Sequence, residues 1–323
     1  MRFLLDAEQR AFAASLDAML TAAGTPAVVR EWSRGEHGSG RALWRRIAAA
    51  GVFALAVPEA YEGAGLRPVE LAVAFVELGR HAVPGPLVET VAAAALLAAP
   101  APAKRLLASL AAGEAMATAA PSGSYALDGD AAAVRLTWDA GGLRLAPGHG
   151  AVRPSLDPAR RLTALAPGGE LLDPAPPVER AVTLARLAVS AQALGVGLAL
   201  LDRTVAYVRQ RTQFGVPVGS FQAVQHRLAD ARIALEFARP LVFGAALSMA
   251  PAEVAAAKVT ACEAACTTAR TALQLHGAIG YTAEYDLSLW LGKARALRTA
   301  WGGPGECRAT VLEGLGGLSG LKG

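Results

Sequence analysis

From Asp6 to about Gly113 the apolar positions recur every three or four residues, as on a helix that buries one face. Leu16, Met19 and Leu20 share such a face, residues 43–51 read as a helix closing on a glycine, and a longer apolar helix is predicted over 68–78. The intervening Val57-Pro-Glu-Ala-Tyr61-Glu-Gly63-Ala-Gly65 reads as a turn-rich loop, a plain connector or a functional one, because proline and paired glycines break helix and strand alike. Between about Ala115 and Pro177 the period drops to two. Val134-Arg-Leu136-Thr-Trp138, Leu143-Arg-Leu145 and Leu162-Thr-Ala-Leu165 alternate between Gly, Asp and Pro punctuation, which predicts a few strands in a small antiparallel sheet. Pro174, Pro176 and Pro177 mark a boundary, and long helices resume at Val178. Leu198, Leu201, Val205 and Val208 share one face; Val224, Leu228, Ala231, Leu235, Ala238 and Val242 step by four and three; a third helix covers 252–275 and a fourth begins near Leu287. The predicted division is 1–113 helical, 114–178 a reduced β segment and 179–323 a four-helix bundle.

Composition narrows the class. At 323 residues the chain can bury a large core over two or three packed units, and only 18% of its residues are charged. The net charge of +4 comes from 31 basic against 27 acidic residues without a run of either sign, too even for a nucleic-acid footprint. The three cysteines, Cys262, Cys266 and Cys307, make no disulfide framework and fit a reducing cytoplasm. The opening segment does not read as a signal peptide, and the apolar run 91–99 is too short to span a membrane. The five histidines show no metal-ligand spacing with Cys or carboxylates, so no metal is expected.

Two stretches near the C-terminal end carry chemistry. In Arg211-Thr-Gln-Phe214-Gly, with Gln222 beyond, an arginine at a helix end can fork onto a pyrophosphate. Phe214 can offer a ring face to an adenine, and Gln222 can read an amide or hydroxyl edge. The same residues equally fit a solvent arginine, a core Phe and a capping Gln. In Gln274-Leu-His-Gly277-Ala-Ile-Gly280-Tyr-Thr-Ala-Glu284, two glycines let backbone N–H groups approach a phosphate, though a glycine C-cap is common. The chain has no complete GxGxxG, no P-loop and no GxSxG elbow.

The order RxxFG, then FQxxQHxLAD over 221–230, then QLHGxIGYTxE resembles the acyl-CoA dehydrogenase family. So do Gly51-Val-Phe-Ala-Leu-Ala-Val57-Pro-Glu, Tyr61-Glu-Gly63-Ala-Gly65 and Glu77-Leu-Gly-Arg80 in the first half. Residues 280–290 are most similar to the short subunits of heteromeric, actinobacterial-like members. The resemblance implies a mainly α fold: an N-terminal helical domain, a β middle domain (here reduced) and a C-terminal four-helix bundle. It implies FAD, an acyl-CoA substrate in lipid metabolism, α,β-dehydrogenation of the thioester, and an electron-transferring flavoprotein as one class of acceptor. By the same resemblance Arg211, Phe214, Gln222, Gln274, Gly277 and Gly280 serve a flavin seated mainly on a neighbouring subunit.

Two departures follow from the alignment of motifs. The family's flavin-ring segment falls near Gly150-Ala-Val-Arg-Pro-Ser155, in a shortened domain. The two positions where the family keeps its catalytic carboxylate hold Trp301 and Ala185, with Glu306 nearby but out of register. Three readings stand: a subunit sharing a flavin site with a sister chain that carries the base, a homo-oligomeric FAD enzyme with a non-standard base, or a flavin-free structural partner.

Overall fold

The computed structural model describes residues 5–316; the first four residues of the opening segment and the glycine-rich end past 316 lie outside them. Six helices come first: α1 (Ala7–Ala22), α2 (Thr25–Ser33), α3 (Gly38–Ala49), α4 (Pro68–Arg80), α5 (Leu87–Leu96) and α6 (Pro100–Ala111). Asp6 starts α1 with a reciprocal cap, its carboxylate accepting from the Gln9 backbone while Gln9 reaches back to the Asp6 N–H. The loop before α4 folds into 3-10 turns at Phe53–Ala56 and Glu59–Tyr61.

The middle segment holds β1 (Ala117–Pro121), β2 (Tyr125–Leu127), β3 (Val134–Asp139), β4 (Gly142–Leu145), β5 (Leu162–Ala164) and β6 (Glu170–Asp173). They form a four-stranded sheet in the order β1-β3-β4-β6 and a β2-β5 pair. The sheet is small, as the alternation predicts, but it is not wholly antiparallel: β1 runs parallel to β3, Ala117 facing Val134 and Pro121 facing Trp138. The chain can return to the same end because residues 122–133 form a connection that contains β2, where a tight hairpin would have enforced the opposite sense. Alanine-rich β1 also gives no strand signal in the sequence.

The C-terminal helices are α7 (Val178–Gln210), α8 (Gln222–Ser248), α9 (Pro251–His276), α10 (Leu287–Leu297) and α11 (Pro304–Gly316). Between α7 and α8 lies a hairpin of β7 (Thr212–Gln213) and β8 (Val216–Pro217). By length and composition α7 could cross a membrane, yet its most apolar stretch is wholly buried in the bundle. It packs on α4 with backbones nearly touching: a Cβ on Gly195 would sit 1.9 Å from the Val76 carbonyl oxygen, and one on Gly79 would sit 2.1 Å from that of Gln192. Glycine at both positions permits the crossing. That helix ties the N-terminal helices to the bundle, leaving a cleft between them and the sheet.

Candidate functional site

One end of the bundle carries most of the residues that the motifs single out. Arg211 leaves α7 in an extended conformation and enters the β7-β8 hairpin. The turn residues Phe214 and Gly215 have φ of 53° and 80°, the two positive values of a type I′ turn matched to strand twist. Phe214 is 93% exposed, which excludes the core reading, and it holds a left-handed backbone that bulky residues avoid. Gln222 opens α8 and Gln274 lies in the last turn of α9; both are exposed. Gly277 ends α9 at φ 65°, ψ −140°, a region open to glycine, and Gly280 is buried in the 3-10 turn Gly277–Tyr281.

Tyr207 on α7 stacks on His276 at the end of α9, rings 4.2 Å apart and 20° from parallel, so the hairpin and the 3-10 turn occupy the same end. Burial lowers the pKa of His276, whose Nδ1 lies 2.8 Å from the Ala272 carbonyl oxygen; within the motif it is a packing group. The side chains of Arg211, Gln222 and Gln274 form no hydrogen bond or ion pair with the described residues, and all three are exposed. An unpaired guanidinium, two amides and an exposed ring set edge-on to Phe221 at 6.3 Å, beside a glycine turn, suit a phosphate-bearing aromatic cofactor presented from outside the chain.

A separate cavity of about 1410 Å³ opens between the N-terminal helices, the sheet and the bundle. Of the six motif residues only Gly280 lines it; Arg211, Phe214, Gln222, Gln274 and Gly277 do not. Ser155 and the loop 156–160 line it too, so one residue of the segment aligned with the flavin ring reaches the cleft. Six arginines border the cavity, with Glu89, Asp157 and Glu306 as its carboxylates. Arg30 pairs with Asp286 at 2.7 Å and Arg34 with Glu36 at 2.9 Å. Arg160, Arg270, Arg295 and Arg298 have no ion-pair or hydrogen-bond partner for their side chains among the described residues.

The cavity wall shows what surrounds Trp301 and Ala185, the two positions that the resemblance aligns with a base. Trp301, at φ 57°, donates its indole N–H to Glu89 Oε1 at 3.1 Å and lies 6.1 Å from Trp138, planes 14° apart. Its carbonyl accepts from Arg186 Nε at 3.0 Å. An indole takes no proton at neutral pH, so Trp301 closes the wall without serving as a base. Ala185 is fully buried in α7, while its neighbour Arg186, also buried, donates to Glu306 and to Thr310. The Glu306 carboxylate is therefore held by a guanidinium. Gly302 makes room for this pair: a Cβ there would lie 2.8 Å from Arg186 Nη2.

Glu89 on α5 is the group that sequence reasoning missed. It is 4% exposed, its Oε2 has no hydrogen-bond partner among the described residues, and burial raises its pKa against the opposing pull of Arg160, its own backbone N–H and the Trp301 hydrogen bond. The available signal was composition: Glu89 is the only charged residue between His81 and Lys104. Asp17, Glu77 and His81 also come within 4.8 Å of one another on the surface, a juxtaposition that residue spacing did not indicate.

Comparison with known proteins agrees with this architecture. Residues 6–114 match the family description "Acyl-CoA dehydrogenase, N-terminal domain", and residues 177–313 match "Acyl-CoA dehydrogenase, C-terminal domain". The acyl-CoA dehydrogenase IpdE2 of Mycobacterium tuberculosis (strain ATCC 25618 / H37Rv) is 33% identical over 273 residues, 83% of this chain and 85% of that protein. The structure of the Tcur3481-Tcur3483 steroid ACAD variant matches with a TM-score of 0.82 at 25% identity, covering 97% of this chain and 99% of that one. The ChsE4-ChsE5 complex from Mycobacterium tuberculosis shares the fold at a TM-score of 0.82 and 24% identity, over 100% of both chains. The chain belongs to the acyl-CoA dehydrogenase family of oxidoreductases, with the family's mainly helical fold.

Proposed function

We propose that this chain is the short subunit of a flavin-dependent acyl-CoA dehydrogenase and shares its flavin site with a sister subunit that carries the base. One observation carries the reading: the polar groups matching the family's flavin motifs are exposed, have no partner among the described residues and lie outside the lining of the chain's own cavity. Arg211, Phe214, Gln222, Gln274 and Gly277 thus suit a flavin seated on a neighbour, with Gly280 shaping the turn beside them. FAD supplies the acceptor for the hydride leaving the β carbon. The chain's residues would hold its phosphates and adenine, while proton abstraction needs a carboxylate that neither Trp301 nor Ala185 provides.

An apolar stripe on α8 supports a partner. Ile233, Phe237 and Leu241, spaced by four, are 52%, 70% and 45% exposed, more apolar surface than a lone helix face normally leaves in water. The names of the steroid ACAD and of the ChsE4-ChsE5 complex support a large acyl group and a two-chain assembly here as well. The free, buried Cys262, Cys266 and Cys307 suit a reducing cytoplasm. The electron acceptor would be an electron-transferring flavoprotein, as the resemblance implies.

Flavin content tests the reading. The chain purified alone should carry little flavin, and co-expression with its sister should yield a stable yellow assembly. A yellow homo-oligomer that oxidises acyl-CoAs without any sister would instead establish the homo-oligomeric reading, with a base outside the two family positions. A colourless two-chain assembly would establish the structural-partner reading.

A further inference from the structure

Away from the cleft, three metal-ligating side chains converge from two helices. Glu77 and His81 stand four residues apart at the end of α4, so they share one face of its last turn. The His81 backbone N–H donates to the Glu77 carbonyl at 3.1 Å, which keeps that spacing. Asp17 reaches the pair from α1. One ligand atom from each residue lies within 4.8 Å of the other two, and His81 Nε2 is 2.7 Å from Asp17 Oδ1. None of the three borders the large cavity.

The three side chains do not satisfy one another. The Glu77 carboxylate is only 13% exposed, yet it accepts no hydrogen bond among the described residues. Arg80 Nε lies 3.7 Å away, too far to donate, and Nη2 of the same guanidinium donates to Asp202 on α7 at 2.9 Å. Burial pushes the Glu77 carboxyl up to about 7; Arg80 pulls it back, Asp17 adds to the rise and Arg239 opposes it. A carboxylate kept from water with only a distant cation is one that a metal ion completes.

Two carboxylates and a neutral imidazole are donors that zinc takes in three-ligand sites, and together they balance its charge. Zinc bonds of about 2.0–2.1 Å in a tetrahedral shell set ligand atoms roughly 3.4 Å apart. The 2.7 Å pair must open slightly and the wider separations, within 4.8 Å, must close, shifts within reach of side-chain rotation.

We propose that Asp17, Glu77 and His81 form a zinc site that clasps α1 onto α4, with water as the fourth ligand on the exposed Asp17 side. Helix α1 is otherwise held by the buried Leu16 and Leu20 and by Gln9 donating to Glu70 at 3.1 Å. The clasp is independent of flavin and of the acyl group, and it holds whether or not a sister subunit is present.

The test is calorimetric titration of the tag-free, chelator-treated full-length chain with zinc chloride, with hydrogen exchange followed in α1. One zinc per chain is expected, together with slower exchange over residues 7–22. Cobalt in place of zinc should give the intense visible absorption of a four-coordinate ion. Glu77→Gln, His81→Gln and Asp17→Asn should each weaken zinc binding at least about tenfold, since even outer-shell partners of a metal cost that much, and should remove the slowing of exchange. No zinc binding by the wild type would overturn the proposal. Binding that survives both Glu77→Gln and His81→Gln would reveal an adventitious ion only, and would overturn it too. Zinc bound at these residues without slower exchange in α1 would overturn the clasp. If His81→Gln fails to fold, Glu77→Gln and the exposed Asp17→Asn still decide the matter.

Discussion

The end of the bundle and the cleft are both built from family motifs, and they differ in how their polar groups are satisfied. At the bundle's end the side chains of Arg211, Gln222 and Gln274 reach no partner among the described residues, and Phe214 is almost fully exposed on a strained turn. In the cleft, Trp301 is tied to Glu89, and Arg186 holds both the Trp301 carbonyl and Glu306. Groups held ready for a neighbour leave the chain's own stability unchanged when they are removed. Groups that satisfy one another take stability with them.

The strongest expected effect on the interior side is a pH dependence. Asp128 is fully buried and accepts from Trp32 Nε1 at 3.1 Å, and burial lifts its pKa to about 8. A carboxyl raised above its unfolded value contributes stability that is complete below about pH 4 and lost as pH rises through 8. The change is on the order of 5 kcal/mol at most. Asp128→Asn should flatten that slope in urea titrations at pH 5 and pH 8; an unchanged slope would show that Asp128 ionises normally.

The Trp301→Ala variant of the free chain should lose about 2–3 kcal/mol, through the indole–Glu89 bond and the packing on Trp138. A loss below about 0.5 kcal/mol in chemical denaturation would show that this wall is not self-supporting. Arg211→Ala should do the reverse. Removing a charge-assisted fork costs about 2–3 kcal/mol of flavin binding, so occupancy of the assembled protein should fall roughly tenfold or more while Tm stays put. Unchanged flavin affinity would remove Arg211 from the flavin site. Phe214→Ala should show the smallest effect on the chain itself, within about 0.5 kcal/mol of wild type, because the ring is 93% exposed. A larger loss would mean that its edge-on contact with Phe221 holds the hairpin tip in the free chain.

What the sequence reveals follows the same division. Helical periodicity placed α9, read over 252–275 and found at Pro251–His276, to within a residue at each end, because a long alanine-rich helix repeats its pattern many times. The hairpin and the glycine turn were legible as motifs, since their residue types are set by unusual φ values. The parallel β1-β3 pair was not legible: Ala117–Pro121 carries little strand propensity, and strand sense depends on a connection that local pattern does not encode. Glu89 was hidden for a related reason. Its helix reads as uniformly apolar, and only the tertiary fold brings the carboxylate to Trp301, 212 positions away in the chain.

The central claim, that this chain supplies cofactor contacts but no base, is tested most directly by anaerobic flavin bleaching. The isolated chain is reconstituted with FAD, offered a range of acyl-CoAs and compared with the two-chain assembly. Absence of a general base costs on the order of 10²–10⁴ in rate, so the isolated chain should bleach at a trace of the assembly's rate or not at all. Full-rate bleaching by the isolated chain would contradict the account, and its abolition by Glu306→Gln would then identify the base.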